Sequence, residues 1–550
     1  MSKMQYGLLR LSLVICTLIL ISGCTSRKEQ VLSSPSYPDA PNRELQEIVV
    51  TANTHGKNNR RYRVHQDHSV SHVPQSKIDH SEYPEYSENP IKITIEDPVS
   101  TFSVDVDTSS YSVIRSYLKR GRTPPKRAIR TEELLNYFSY DYAFPVSKDH
   151  PFRPQVSVFD SPWSAPKQLL RIGIQGYDIK PAEQPDSNLV FLLDVSGSMQ
   201  SENKLPLVKK SIGFLLKSLK PTDLISIVVY AGATGVVLEP TPVKNTLTIQ
   251  RALNSLSAGG GTAGGEGLAL AYAVAKENFK KDSVNRIILT TDGDFNVGQS
   301  SNDDLKKLVV ANRDYGIYLS VLGFGSYNYQ DDMMQAIAQN GNGTAAYIDS
   351  LQEAKKVLVD EATSSLFPIA NDVKIQIEFN SSNVSEYRLL GYETRKLARE
   401  DFNNDKVDAG EIGAGHSVTA IYEITPTDAG IRSVDKLRYT IESNDVPRNI
   451  ELNNELGFLK IRYKLPGETE SKLISQPIHK SNESDREALF AAAVVSFSEI
   501  LRGGKHMGKF NIDDTIKLAR ENKGNDESGY RSEFIQLAEL YKLLQVGTTK

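Results

Sequence analysis

The pattern of apolar and polar residues changes along the chain, and its most regular part lies between residues 186 and 367. There, short apolar runs typical of buried strands alternate with stretches in which apolar residues recur every three or four positions, as in amphipathic helices. This alternation predicts a Rossmann-like, doubly wound α/β fold with a mostly parallel sheet and helices on both faces. The principal predicted strands are Leu189–Asp194, Leu224–Tyr230, Arg286–Thr291 and Ile317–Phe324.

The regions on either side of this sheet follow other patterns. Residues 91–185 contain strand-like and helix-like stretches in turn, which predicts a flanking α+β region. Residues 368–470 alternate between apolar and polar positions, as in Val373–Phe379, and this period of two predicts an antiparallel β-sandwich. Residues 484–545 return to helical spacing. We therefore expect the C-terminal domain, 368–550, to be rich in strands first and then helical.

The first 90 residues have the character of an export signal followed by a linker. Residues 1–23 begin with the positive charges Lys3 and Arg10 and continue with the apolar stretch Leu11–Ile21. This stretch is too short for a comfortable transmembrane helix, so residues 1–23 are predicted to be a secretory signal peptide. Residues 24–90 are polar and lack sustained periodicity, which predicts a disordered tether.

The end of the signal segment resembles a known processing site. Ile21-Ser22-Gly23-Cys24 is similar to a bacterial lipobox, which implies that Cys24 is lipidated and becomes the new N-terminus. A multiply acylated terminus anchors a protein stably in a membrane. Because Thr25 and Ser26 follow the cysteine in place of Asp, the resemblance favours the outer over the inner membrane of a Gram-negative cell envelope. The alternative is a plain signal peptide with a chance cysteine, or an uncleaved anchor.

One apolar island interrupts the predicted tether. Leu45–Ala52 resembles the short segment of outer-membrane receptors that pairs as a strand with an energy-coupling protein. The alternative interpretation is an apolar patch in a linker without a partner, and the eight matching residues do not decide between the two.

Composition and charge narrow the classes of partner. A chain of 550 residues is long enough for more than one domain. Its 64 Lys and Arg residues nearly balance 68 Asp and Glu residues, and the charges are dispersed, which argues against nucleic acid as the main partner. The two cysteines, Cys16 and Cys24, both precede the predicted folded regions, so these regions contain no disulfide and no thiolate zinc site.

Polar residues follow two of the predicted strands at the point where each strand ends. One strand runs into Asp194-Val195-Ser196-Gly197-Ser198, and another ends at Asp292. A glycine run, Gly259–Gly261, lets the backbone approach closely and brings in the hydroxyl of Thr262, and this loop ends at the start of a helix. The carboxyl ends of neighbouring parallel strands share one crevice, and oxygen ligands in such a crevice suit a hard divalent cation.

This combination is similar to the metal-ion-dependent adhesion site (MIDAS) of von Willebrand factor type A domains. The shared features are Asp-x-Ser-x-Ser, a Thr in a glycine loop, and Thr-Asp-Gly after a strand. The resemblance implies a type A domain over residues 186–367 with Mg²⁺, or Mn²⁺ or Ca²⁺, as cofactor. The implied metal ligands, bound directly or through water, are Asp194, Ser196, Ser198, Thr262 and Asp292. Residues 91–185 and 368–545 resemble the N- and C-terminal regions of bacterial type A domain lipoproteins.

The implied ligand set suggests how such a site would act. Hydroxyl groups are weak neutral ligands, and two carboxylates only balance the charge of a divalent cation, so the cation stays electrophilic. An open coordination position then favours an Asp or Glu side chain offered by a protein partner. We expect a lipid-anchored, non-enzymatic envelope protein with an adhesion or scaffold role, and the sequence does not indicate its oligomeric state.

Two other classes of function stay open at this point. A metal-dependent hydrolase would use bound Mg²⁺ as a Lewis acid, but the sequence identifies no His, Lys or Tyr as a general base beside the site. The Asp-x-Asp pattern of haloacid dehalogenases is absent, since Ser196 stands where its second Asp would be. The third class is a structural envelope protein in which metal binding is incidental.

Several further carboxylates have simpler interpretations. Glu266 is expected to stabilise the positive end of the helix that follows Thr262. Asp105 and Asp107 are expected to form a turn and cap the next helix, and Asp294 is expected to be a loop carboxylate near the rim of the site. Asp401–Asp405 resembles the start of a calcium loop but lacks the glycine expected at the sixth position, so a solvated turn is favoured.

Overall fold

A computed structural model describes most of the chain beyond residue 80. The described residues are 81, 83, 85–146, 150–231, 234–260, 264–293, 302–325, 331–435, 454–480 and 484–547. The predicted sites that lie outside them are the signal segment, Cys24, Leu45–Ala52, Thr262 and Asp294. A search of the described part of the chain finds no helix with the length and apolar character needed to cross a membrane.

Strands and helices account for most of this part of the chain. The strands, in chain order, are β1 (Lys92–Ile93), β2 (Val99–Ser103), β3 (Phe152–Asp160), β4 (Gln168–Gly176), β5 (Ser187–Asp194), β6 (Leu224–Tyr230), β7 (Gly235–Pro242), β8 (Val284–Thr291), β9 (Tyr318–Phe324), β10 (Ala345–Ile348), β11 (Pro368–Phe379), β12 (Val384–Leu390), β13 (Gly410–Gly413), β14 (Ser417–Pro426), β15 (Glu455–Lys464) and β16 (Lys472–His479). The helices are α1 (Ser109–Lys119), α2 (Thr131–Asn136), α3 (Leu205–Leu215), α4 (Thr246–Ser255), α5 (Gly264–Glu277), α6 (Asn302–Tyr315), α7 (Asp331–Asn340), α8 (Leu351–Lys355), α9 (Ala362–Leu366), α10 (Arg486–Arg502), α11 (Ile512–Glu521) and α12 (Tyr530–Gly547).

The central sheet has the strand order β10-β9-β8-β5-β6-β7, and every pair in it is parallel except β6 with β7. Strand β5 lies inside the sheet and is buried along its whole length. Leu189, Phe191 and Leu193 pack on one face, with apolar residues of α3, whereas Val190 and Leu192 pack on the other face, with residues of α5. The predicted doubly wound α/β fold is confirmed.

The flanking regions together form a β-sandwich. One sheet has the order β1-β12-β14-β4-β3, and the other has the order β13-β11-β15-β16 with β2 also paired to β11. Their inner faces meet: the Tyr422 hydroxyl donates to Ser100 Oγ at 2.9 Å, and the rings of Phe152 and Tyr463 lie 5.1 Å apart. Strands that precede the central domain therefore pair with strands that follow it, and the sequence pattern did not indicate this.

A layer of helices covers the sandwich and the central domain. Helix α10 is almost entirely buried, and its Phe490 and Phe497 pack with Phe534 of α12. Arg115 of α1 is fully buried and donates hydrogen bonds to carboxylates of Asp349, Glu353 and Glu533. Because these carboxylates follow β10 or belong to α12, one guanidinium joins the N-terminal region, the central domain and the C-terminal helices.

The outer edge of β10 is covered by the chain that precedes α1. Asp107 Oδ1 accepts a hydrogen bond from the Ala345 backbone N–H at 3.0 Å, and Asp105 Oδ1 accepts one from the Asp107 N–H at 3.1 Å. The predicted turn is present, but the predicted helix cap is wrong. Thr108 is the N-cap residue, and Arg395 forms ion pairs with both Asp105 and Asp107.

The packed part of the chain begins earlier than the sequence pattern indicates. Tyr83 is buried against residues of the central domain, although the tether was predicted to extend to residue 90. The Asn89 amide donates hydrogen bonds to the carbonyl oxygens of Leu389 and Gly391, at 3.1 and 2.6 Å. Isolated aromatic and amide groups dock this segment without producing any periodicity in the sequence.

Candidate metal centre

The register of the central sheet brings two carboxylates to the same edge. Asp194 is the last residue of β5 and lies opposite Tyr230 of β6, while Leu193 lies opposite Thr290 of β8. Asp292 follows Thr290 by two residues. The ends of β5 and β8 therefore meet at the carboxyl edge of the sheet, where ligands bind in open α/β folds.

Asp194 is a buried carboxylate held in a fixed orientation. Its Oδ1 accepts a hydrogen bond from the Ser196 backbone N–H at 2.8 Å, and its Oδ2 accepts one from the Tyr230 hydroxyl at 3.4 Å. Burial raises the pKa of Asp194 to about 6, and the nearby charge of Asp292 contributes in the same direction. The raised pKa of Asp194 indicates that its negative charge is costly without a nearby cation.

Two serine hydroxyls lie beside this carboxylate: Ser198 belongs to the single helical turn Gly197–Gln200, and Ser196 immediately precedes that turn. Ser196 Oγ and Ser198 Oγ are 2.9 Å apart. The Gly197 N–H donates to the Gly260 carbonyl at 3.1 Å, and the Gly259 N–H donates to the Val195 carbonyl at 2.7 Å. The glycine loop is therefore tied to the serine turn, as the sequence predicts. Thr262, two residues further along, lies outside the described residues.

Lys204, which was not predicted from the sequence, contacts two residues of the candidate site. Lys204 Nζ lies 2.6 Å from Asp292 Oδ2 and donates a second hydrogen bond to the Ser198 carbonyl at 3.1 Å. The Asp292 side chain is 2% exposed and that of Lys204 is 18% exposed. Lys204 stands immediately before α3, six residues after Ser198. This short distance in sequence from the serine motif is the feature from which its position near the site could have been predicted. Its ammonium balances one of the two carboxylates of the site.

The structure brings Asp194, Ser196, Ser198 and Asp292 together, while their role as metal ligands stays a prediction. Carboxylates and hydroxyls form an all-oxygen donor set, which fits a hard divalent cation. Within the described part of the chain, no cluster of three His, Cys, Asp or Glu side chains offers another kind of metal site. Glu266 is exposed in the first turn of α5, where its predicted effect on the helix terminus applies.

Lysine and arginine side chains of the protein hold the loop that resembles a calcium site. The Lys374 ammonium donates hydrogen bonds to the carbonyl oxygens of Asp401 and Asn404, at 3.2 and 2.6 Å. The Arg462 guanidinium donates to Asp405 Oδ1 at 3.0 Å. These side chains occupy oxygen atoms that a calcium loop would direct to its ion, which supports the interpretation as a turn.

Comparisons with known proteins cover most of the chain. Residues 188–360 match the family model of the von Willebrand factor type A domain, and residues 77–171 match a model described as von Willebrand factor. Residues 364–544 match the model of the C-terminal region of the uncharacterized protein YfbK. The chain is 43% identical over 465 residues to YfbK of Escherichia coli strain K12, which covers 83% of this chain and 80% of that protein.

Two solved structures are similar in part. A von Willebrand factor type A protein from Catenulispora acidiphila is 15% identical and gives a TM-score of 0.38, covering 70% of this chain and 89% of that one. Proximal thread matrix protein 1 from the mussel byssus, described with a zinc-occupied MIDAS motif, is 19% identical and gives a TM-score of 0.27. That match covers 32% of this chain and 46% of the mussel protein.

Proposed function

Since this chain belongs to the family of the Escherichia coli protein YfbK and contains a von Willebrand factor type A domain, we propose that it binds a protein partner through a divalent cation. The role is adhesion or scaffolding in the cell envelope, without catalysis. The observation that carries the proposal is the convergence of two buried carboxylates with a pair of serine hydroxyls at the edge of the sheet. Such a donor set leaves room for a partner to complete the coordination.

The residues that would hold the cation have distinct tasks. Ser196, Ser198 and Thr262 supply neutral hydroxyl oxygens, and Asp194 and Asp292 supply charge, directly or through water. When bound, Mg²⁺ or a similar divalent cation provides an electrophilic centre for the carboxylate of a partner's Asp or Glu.

Three groups already present prepare the metal-binding side chains. The Ser196 N–H and the Tyr230 hydroxyl hold Asp194 in place, and Lys204 keeps Asp292 beside the Ser198 carbonyl. Binding of a cation at Asp292 requires the Lys204 ammonium to share or release this carboxylate, because both compete for the same oxygens.

The groups near the site favour binding over hydrolysis. Burial raises the pKa of the Tyr230 hydroxyl well above its usual value, and the one proton of that hydroxyl is shared between the Thr290 carbonyl at 3.0 Å and Asp194 Oδ2 at 3.4 Å. The Lys204 ammonium is held in an ion pair with Asp292. Neither group is arranged to accept a proton from an attacking water, which is the task of a general base.

A capture experiment tests the proposed binding. The purified chain should retain envelope proteins in Mg²⁺ and lose them in EDTA, and Asp194→Ala or Thr262→Ala should abolish the retention. Asp314→Asn is the matched control, because it removes an exposed carboxylate from α6. Equal retention by the Asp194→Ala variant, or metal-dependent turnover of a phosphate or peptide panel, would contradict the proposal. If elemental analysis finds no bound metal, the remaining candidate function is that of a structural envelope protein.

The proposal also places the protein at a membrane through Cys24. A lipid on this cysteine and a tether of about 60 residues would hold the site at the envelope while leaving it free to reach a partner. The Cys24→Ser variant should move from the membrane fraction to the soluble fraction, whereas Cys16→Ser should not. Continued fractionation of Cys24→Ser with the membrane would show that the anchor is not this lipid. Separation of inner and outer membranes tests the expected outer-membrane location.

A further inference from the structure

A buried arginine stands at the opposite end of β8 from the candidate metal centre. Arg286 is the third residue of the strand and is 3% exposed. Its Nη1 donates to Ser320 Oγ at 2.6 Å, and its guanidinium carbon lies 5.6 Å from the centre of the Tyr318 ring. Its Nε has no hydrogen-bond partner, and no carboxylate of the described residues forms an ion pair with it. Burial lowers the pKa of Arg286 to about 10.

An unpaired buried charge of this kind needs an explanation. Removal of a guanidinium from water costs several kcal/mol by order of magnitude unless a counter-charge and hydrogen bonds replace the solvent. The single hydroxyl of Ser320 and the face of Tyr318 provide only part of that compensation. An anion would supply both a counter-charge and hydrogen-bond acceptors, and the space beside Arg286 shows where it would lie.

Arg286 lines a cavity between the central domain and the sandwich. The central domain contributes Thr344 at the start of β10 and Ser364 and Ser365 of α9, and the sandwich contributes Glu411 and His416. The cavity has a volume of about 50 Å³. Because one water needs roughly 10–15 Å³ by this kind of measure, the cavity admits a few waters or one small polyatomic ion.

The other ionisable groups of this cavity do not supply the missing negative charge directly. Glu361 is paired with Lys356. Burial raises the pKa of Glu411 to about 8, with Asp408 and Asp372 adding to the effect, so this side chain favours its protonated form at neutral pH. His416 Nε2 has no hydrogen-bond partner, and burial lowers the pKa of this imidazole. The charge of Glu411 offsets part of the effect of burial on Arg286, but no carboxylate of the described residues forms an ion pair with this guanidinium.

We infer that the cavity is a binding site for a small oxyanion, a carboxylate or a phosphate, whose oxygens accept hydrogen bonds from the Arg286 guanidinium. Planar guanidinium groups are the preferred protein ligands for these anions, because two parallel N–H groups match two oxygens. Thr344 and Ser365 also line the cavity, whereas the Ser364 hydroxyl donates to the Glu361 carbonyl at 2.8 Å. The site is independent of the metal centre, since the two lie at opposite ends of β8.

The test measures anion binding to the full chain in detergent and EDTA, so that the metal centre plays no part. Sodium acetate and sodium phosphate are titrated against sodium chloride of equal ionic strength, with thermal unfolding and calorimetric titration as readouts. One of the two probes should give a saturable rise in the unfolding midpoint and a measurable heat. A wild-type chain that responds to neither probe more than to chloride would overturn the inference without any variant.

Variants then assign the response to Arg286. The Arg286→Met variant should bind the active probe at least about tenfold more weakly, because charge-assisted hydrogen bonds are lost. Without anion, its unfolding midpoint should equal or exceed that of the wild type, since an unpaired buried charge has been removed. Arg520→Gln, which removes an exposed arginine of α11, should bind as the wild type does.

Glu411→Gln separates the inference from its main competitor. If the cavity binds an anion, the loss of a carboxylate at its wall should leave anion binding unchanged or strengthen it. If Glu411 is itself the counter-charge of Arg286, this variant should lower the unfolding midpoint and the wild type should show no saturable anion response. Unchanged binding by Arg286→Met would likewise contradict the assignment.

Discussion

At the scale of single residues, the buried carboxyl of Glu132 should make the stability of the fold depend on pH. Glu132 of α2 is buried, and its Oε2 accepts a hydrogen bond from the Tyr392 N–H at 2.8 Å while its Oε1 has no partner. Burial raises the pKa of Glu132 to about 8, and the nearby charges of Glu393 and Asp105 add to the effect. A carboxyl whose pKa is higher in the folded than in the unfolded state stabilises the fold at low pH only.

The sign of this effect gives a prediction for Glu132→Gln. The stabilising contribution of Glu132 is complete below its unfolded pKa of about 4.5 and is lost as the pH rises through about 8. The variant should therefore gain free energy of unfolding relative to the wild type between pH 5 and pH 9, by at least about 1 kcal/mol, the equivalent of one pKa unit. Urea unfolding across this range measures the difference. A difference that does not change with pH would contradict the prediction.

Individual site residues were predictable where they directly follow a recognisable buried strand. The Asp-x-Ser-x-Ser turn and the Asp after the second strand indicated Asp194, Ser196, Ser198 and Asp292, because strand ends in a parallel sheet converge. Tyr230 was not found, since it approaches Asp194 only through the register of β5 and β6. Arg286 was assigned to a strand, but no pattern in the sequence indicates that it lacks an acidic partner.

At the scale of elements, the ion pairs of Arg115 join α1 to the segment after β10 and to α12. Its guanidinium is 0% exposed and contacts Asp349 and Glu353 after β10 and Glu533 of α12. Burial of three carboxylates is tolerated because one delocalised cation with five donors serves all of them. Such a buried ion-pair cluster adds little net free energy of unfolding. Removal of its cation is nevertheless costly, because the buried carboxylates then lack a partner.

Arg115→Gln should therefore destabilise the chain strongly. The expected loss is about 3–5 kcal/mol of unfolding free energy, the usual result of removing one member of a buried ion pair. Lys119→Gln is the matched control on the same helix: its side chain is 50% exposed, it also contacts Glu533, and its loss should cost at most about 1 kcal/mol. Denaturant unfolding compares the two variants. Similar losses in both would show that burial does not govern this cluster.

The elements themselves were largely predictable, and their pairing was not. Leu224–Tyr230 is both the predicted and the observed extent of β6, and the strand predicted over Arg286–Thr291 begins two residues after the observed start of β8. These boundaries follow from local apolar spacing. The pairing of β2 with β11 joins Phe102 to Ile375, and a period of two shows only that each strand has a buried face, not which strand lies beside it.

At the scale of the molecule, the two ends of the folded chain form one sandwich with the type A domain placed between them in sequence. The family matches confirm the predicted type A domain and the C-terminal domain of YfbK-like proteins. Strand β4, which precedes the type A domain, pairs along eight residues with β14, which follows it. The type A domain is thus held by its surroundings at both termini.

This arrangement predicts that the C-terminal domain, residues 368–550, cannot fold by itself. A fragment of residues 368–550 lacks β2, β3 and β4, so β11 and β14 each lose a neighbouring strand and the apolar faces of both sheets become exposed. It should show no cooperative thermal transition by circular dichroism.

Co-expression with a second fragment, residues 81–180, should restore a cooperative transition and co-purification, because the missing strands are supplied in trans. The same second fragment carrying Phe102→Asp is the control, since a buried charge on β2 should block the rescue. Cooperative unfolding of 368–550 alone, at a temperature close to that of the full chain, would show that the pairing across the type A domain is dispensable.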